Sequence, residues 1–124
     1  MKNNSSIKNS KGLNKNLRNQ LVNTINGVPE KISKELIKII TSYKPVKKIV
    51  LFGSRIGNKY RKTSDIDIAI IDESWTSSDI NLVHFNLEEE LSTPLKIDLV
   101  NFYNVYKQSL KEAISKGIIL YESK

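Results

Sequence analysis

The chain has 124 residues, a formal net charge of +7, no cysteine and one histidine, a length suited to about one domain with a modest core. The lack of cysteine excludes disulfides, thiol nucleophiles and thiolate metal sites, and the single His84 excludes HExxH and multi-histidine sites. The charge is uneven: residues 1–48 carry 11 Lys/Arg against 2 Glu, and residues 49–124 carry 9 against 11 acids.

A basic segment can bind nucleic acid. Here the lysines are mixed with Asn and Ile throughout, as in compositional bias, so nucleic acid is not expected as the main partner. The longest apolar runs, Ile49-Val50-Leu51-Phe52 and Ile68-Ala69-Ile70-Ile71, fall far short of the roughly 20 residues that span a bilayer. No apolar stretch follows the basic N-terminus, so no signal peptide is expected. The expectation is a cytoplasmic protein with no membrane contact.

Residues 1–12, MKNNSSIKNSKG, hold too little apolar surface to order themselves and read as a tail. Leu13, Leu17, Leu21 and Ile25 recur every four residues and permit a short helix, which Asn26-Gly27 would end. Residues 1–28 are therefore set apart from a domain over 29–124. Pro29 suits a first helical turn. Ile32, Leu36, Ile39, Ile40 and Tyr43 then predict a helix over 29–43 that Pro45 stops. Lys47 to Phe52 reads as a buried strand and Gly53-Ser54 as a break opening a short helical turn. Residues 56–63 form a basic loop with Gly57, Lys59, Arg61 and Lys62, and Asp65 to Ile71 is a second strand. A helix over 77–91 is expected to start on a Ser77/Ser78 cap, with Ile80, Val83, Leu87 and Leu91 on one face. After Pro94 comes a third strand, Leu95 to Phe102, then a helix over 104–116 with Gly117 as C-cap, and a closing strand, residues 117–121. Helices alternating with strands predict an α/β (α+β) sandwich: one sheet of about four strands with helices packed on it.

Acidic side chains are unwelcome in an apolar strand, yet Asp65 and Asp67 open the second one. Residues i and i+2 of a strand project to the same side, about 6.6 Å apart, while Ile66 and Ile68 face the core. Two carboxylates this close repel unless a cation lies between them. Oxygen donors on a rigid strand suit Mg²⁺ or Mn²⁺. Asp98, in Leu95-Lys96-Ile97-Asp98-Leu99-Val100, repeats the apolar–acid–apolar pattern. If the two strands are neighbours, Asp98 completes a cage able to hold two ions about 3.5–4 Å apart, the clamp for in-line displacement at phosphorus. Gly53 lets backbone approach a ligand closely. Ser54 opens a turn whose free N–H groups favour phosphate. Arg55, Lys59, Arg61 and Lys62 could neutralise a triphosphate.

Gly53-Ser54, ten residues, then Asp65-x-Asp67 resembles the GS-x10-DxD signature of the polymerase-beta-like nucleotidyltransferase superfamily. "LFGSR…SDIDIAII", "KIDLV" and "GIILYE" look like its minimal members, the MNT group, over about residues 30–122. The resemblance implies transfer of AMP from ATP, with two Mg²⁺ ions (Mn²⁺ as the substitute), to an acceptor hydroxyl, releasing pyrophosphate. It assigns Gly53, Ser54 and Arg55 to nucleotide binding, Asp65 and Asp67 to both metals, and Asp98 to the catalytic metal and the acceptor proton. Many minimal members are encoded with a helical HEPN protein. Some are antitoxins that adenylylate a tyrosine of that partner, the toxin. Others are described as one half of a two-subunit transferase. One departure stands out: the family often reads GSRxxG, whereas here Gly57 comes one position early and Asn58 holds the usual place.

Plainer readings accompany the other residues. His84 reads as a surface or partly buried helix residue, Trp75 as a core cover before a base-stacking platform, Tyr103 and Tyr106 as structural before partner-lining. Glu88-Glu89-Glu90 reads as the wet face of a helix. Arg55 could equally brace the loop. The chain has no evident segment to hold an acceptor, so the acceptor is expected to be, or to be presented by, another protein in a hetero-oligomer. The leading expectation is AMP transfer to a tyrosine of a cognate HEPN toxin. The alternatives are a non-catalytic antitoxin acting by complex formation, and the catalytic subunit of a two-component transferase acting on a small molecule or nucleic acid.

Overall fold

The structure, a computed structural model, describes residues 27–56 and 64–124. The expected tail over residues 1–12, the helix on Leu13–Ile25, and Gly57, Lys59, Arg61 and Lys62 lie outside the described residues. In chain order the elements are α1 (Glu30–Tyr43), β1 (Lys48–Phe52), a 3₁₀ turn (Gly53–Arg55), β2 (Ile66–Ile71), α2 (Ser77–Glu90), β3 (Ile97–Asn101), a second 3₁₀ turn (Phe102–Asn104), α3 (Gln108–Ser115) and β4 (Ile118–Glu122). The four strands form one mixed sheet in the order β3-β2-β1-β4. β1 runs antiparallel to β2 and to β4. β2 and β3 are parallel, joined by a crossover through α2, the connection that parallel neighbours require.

The alternation along each strand sorts residues onto two faces. Ile49, Leu51, Ile66, Ile68, Ile70, Ile97 and Leu99 face one core with Ile32, Leu36 and Ile40 of α1 and Ile80, Val83 and Leu87 of α2. Each such buried side chain is worth about 1.5–3 kcal/mol against exposure, so this layer carries most of the stability. Val50, Phe52 and Ala69 face the other way, under Val105 and Ile114. That second cover is thin, because α3 has only 8 residues. Asp67 shares this face with Ala69, and Asp98 shares it with Val100. Val28, assigned to the tail side of the expected boundary, is buried in the first core.

Three local expectations are revised. The cap of α2 is Thr76 rather than Ser77 or Ser78. Its hydroxyl accepts from Asp79 N, while the Asp79 carboxylate accepts from Thr76 N, a complete capping box. α3 begins at Gln108, not at 104, because Asn101 bends the chain first. Its Oδ1 accepts from Tyr103 N, and its Nδ2 donates to the Asp72 and Trp75 carbonyls. Gly117 follows α3 without positive φ. Its N–H donates to Ile114 O at 2.9 Å. A Cβ there would lie 2.5 Å from both Leu51 O and Val50 Cγ1, so glycine is required by close packing rather than by a left-handed cap.

Candidate active site

The site gathers where β1 ends and where β2 and β3 begin. Phe52, the last residue of β1, pairs with Asp67, and Asp67 pairs with Asp98 in register across the parallel strands. The chain then turns at Gly53, with φ +84°. A Cβ on Gly53 would overlap Asp67 Oδ2 and stand 3.1 Å from its Cγ, so the turn passes directly against this carboxyl. The Gly53–Arg55 turn closes through Ile56 N donating to Gly53 O at 3.2 Å. Gly53, Ser54 and Asp98 are exposed, and Asp65 and Asp67 are half-buried.

Burial, then the charges of Asp98 and Asp65, then a hydrogen bond with the Asp98 side chain push the Asp67 carboxyl up to about 6. Like charges this close repel, and a cation between them relieves that repulsion. This donor set suits a hard divalent ion: rigid strand-borne oxygens with a mutual repulsion that a cation relieves. Asp65, just before β2, acts on Asp67 through charge. Among the described residues no three acidic or histidine side chains converge tightly enough to form a metal-holding cluster. The fitting core is therefore the Asp67–Asp98 pair, with Asp65 beside it.

Arg55 takes the bracing place rather than a place at the turn's surface. It is 4% exposed. Its Nη1 donates to Gly27 O at 2.8 Å, and its Nε and Nη2 donate to Ser64 O at 3.2 and 3.0 Å. It thus ties the turn after β1 to the segment entering β2. Trp75 is likewise structural: it is buried and donates Nε1–H to Pro45 O at 2.9 Å. Tyr103 and Tyr106 are exposed. Glu88, Glu89 and Glu90 lie on the exposed side of α2. Asp72 is a buried acid away from the pair. Burial raises its pKa, but hydrogen bonds from Ser74 and Lys47 outweigh that and hold it below the usual range. His84 is a partly buried residue of α2, as expected, and its Nε2 lies 2.6 Å from Ile97 O, next to Asp98. No local pattern announces that contact, since the two residues meet only when α2 packs on β3.

A mixed four-stranded sheet backed by helices, with paired strand carboxylates against a glycine–serine turn, defines a nucleotidyltransferase-fold domain. The chain belongs to the Polymerase beta, Nucleotidyltransferase family, which it matches over residues 34–124, and is a nucleotidyltransferase. It is 34% identical over 98 residues to the protein named "Putative protein adenylyltransferase MJ0126" of Methanocaldococcus jannaschii, covering 77% of this chain and 96% of that one. Its fold resembles a chain of a toxin–antitoxin crystal structure with AMP-PNP, at TM-score 0.62 and 21% identity over 74% of each chain. It also resembles a chain of the tri-AMPylated Shewanella oneidensis HEPN toxin in complex with MNT antitoxin, at TM-score 0.55 and 20% identity, over 73% of this chain and 70% of that one.

Proposed function

We propose that this chain transfers AMP from ATP to a tyrosine hydroxyl of a helical HEPN-type partner protein, and so neutralises that partner as an antitoxin. The observation that carries the reading is the in-register pairing of Asp67 with Asp98 beside the Gly53 turn. The relative named as a protein adenylyltransferase supports a protein acceptor. The toxin–antitoxin folds support a HEPN partner and an adenine nucleotide.

In this reading Gly53 and Ser54 hold the triphosphate, with exposed backbone and the Ser54 hydroxyl next to the acids. Arg55 positions that turn from below. The Asp67–Asp98 pair would hold Mg²⁺, with Asp65 alongside adding negative charge, and the ion when bound supplies charge neutralisation along the triphosphate and the leaving group. Asp98, the exposed member of the pair, is placed to take the proton of an approaching hydroxyl. The tyrosine oxygen then bonds to the α-phosphorus, the bond to the bridging oxygen breaks, and pyrophosphate leaves. The thin cover of the Asp67–Asp98 face leaves room for a protein acceptor to reach it.

The test incubates the chain with α-labelled ATP, Mg²⁺ and its helical partner. Label is expected on a partner tyrosine and is expected to be lost in the Asp65→Asn/Asp67→Asn variant, together with neutralisation. Full neutralisation by that variant would instead establish inhibition by binding alone. Label only on an added small molecule or RNA would establish a two-component transferase.

A further inference from the structure

Among the described residues β3 is an edge strand, with β2 on one side only. Ile66 N donates to Lys96 O at 2.9 Å, so the Lys96 carbonyl points towards β2. Successive carbonyls of a strand point to opposite sides, so Ile97 O points out of the free edge. An open edge carbonyl is normally left to water or to another strand. Here His84 of α2 meets it, with Nε2 2.6 Å away. The other neighbour of Nε2 is a carboxylate oxygen of Glu88, at 3.6 Å, one helical turn on. Both partners are acceptors, so Nε2 carries the proton and donates.

We propose that His84 is a positioning residue for the acidic pair: its Nε2–H clamps Ile97 O on the free edge of β3 and so fixes Asp98 against Asp67. The pair is held on one side by the β2 ladder. Without the clamp, Ile97, the residue preceding Asp98, has no partner on its outer side from α2, and the start of β3 frays. Fraying moves the Asp98 carboxyl relative to Asp67, although His84 itself touches neither. α2 supplies the rigidity, since Val83 and Leu87 on either side of His84 are fully buried. A half-exposed imidazole would be an ordinary surface residue if its ring nitrogen faced water; its short contact with the one strand edge that bears a site acid is what sets it apart.

The experiment compares the full chain with His84→Ala and His84→Gln, since a glutamine amide can offer a donor where Nε2 stood. Two readouts need no acceptor: hydrogen exchange of the β3 amides relative to those of β1, and Mn²⁺ binding followed by electron paramagnetic resonance. His84→Ala is expected to speed β3 exchange and weaken Mn²⁺ binding by about tenfold, the lower end of the effect of removing an outer partner of a metal site. The kinetic readout rests on the proposed AMP transfer. There kcat is expected to fall about tenfold with the KM for ATP unchanged, and His84→Gln to recover most of the loss. Unchanged β3 exchange with unchanged Mn²⁺ affinity in His84→Ala overturns the proposal, as does a kcat equal to that of the parent chain. If the parent chain labels no acceptor, the transfer reading fails, and exchange and Mn²⁺ binding decide the role of His84 by themselves.

Discussion

Replacing Gly53 by alanine separates the site's geometry from the domain's stability. At φ +84° a residue with a Cβ is strained by about 1–3 kcal/mol. The new methyl also overlaps Asp67 Oδ2. That obstacle is the far end of a side chain, so it can rotate away at little cost to folding, but the rotation displaces the Asp67 carboxyl from its place in the site. Gly53→Ala is therefore expected to lose about 1–3 kcal/mol of stability, a fall in Tm of about 4–8 °C per kcal/mol for a domain of this size. Its transfer activity is expected to fall much further, by at least about a hundredfold, because misplacement by about an ångström can cost that much. Gly117→Ala is the counterpart. Its Cβ meets the Leu51 backbone carbonyl and Val50 Cγ1 at 2.5 Å, and backbone cannot rotate aside, so β1 and α3 must part. A loss at or above the roughly 1–3 kcal/mol of a typical overpacking is expected, with near-normal activity in the fraction that folds. Trp75, the single tryptophan and 2% exposed, reports urea unfolding by fluorescence, and labelled ATP reports transfer. A fully active Gly53→Ala protein, or the two variants losing stability and activity in the same proportion, would refute the reasoning.

Arg55→Ala is expected to destabilise the chain by about 2–6 kcal/mol with no nucleotide present, because it removes the donors to the Gly27 and Ser64 carbonyls at about 1–3 kcal/mol each; urea titration without ATP checks this. Asp67 has a folded pKa raised to about 6, so its ionised form costs stability that appears as pH rises through 6 and is absent below about 4. Asp67→Asn is accordingly expected to unfold at higher urea than the parent chain at pH 7.5 without divalent ions, to match it near pH 4, and to transfer nothing. Asp79 lies well below the usual carboxylate range, first through Lys44, then through Tyr43 and Thr76 N. A depressed folded pKa gives stability that is present above about 4 and lost as pH falls further. Asp79→Asn should therefore lower the urea midpoint at pH 7 and flatten its decline in acid.

Much of the site is local chemistry and was legible in the residues. The apolar–acid–apolar run around Asp98 and the alternating helices and strands follow from i, i+2 and i, i+4 periodicities that no distant contact alters, and the spacing from Gly53-Ser54 to Asp65-x-Asp67 was legible through its resemblance to a family signature. The α2 cap was also local: Thr76 and Asp79 form a capping box three residues apart, a better signal than the serines between them. Tertiary structure alone decided the rest. The order β3-β2-β1-β4 is a set of pairings between residues distant in sequence, such as Asp67 with Asp98 and Lys48 with Glu122, and side-chain period is the same whichever strands adjoin. Arg55 looks like any loop cation until the fold places the Gly27 and Ser64 carbonyls around it. Gly117 looks like a helix cap until β1 lies against it. His84 looks like a surface residue until α2 settles on β3 and brings a free carbonyl within reach. The residue types fixed what chemistry the chain can offer, and the packing of an edge strand under one helix decided which groups stand still enough to perform it.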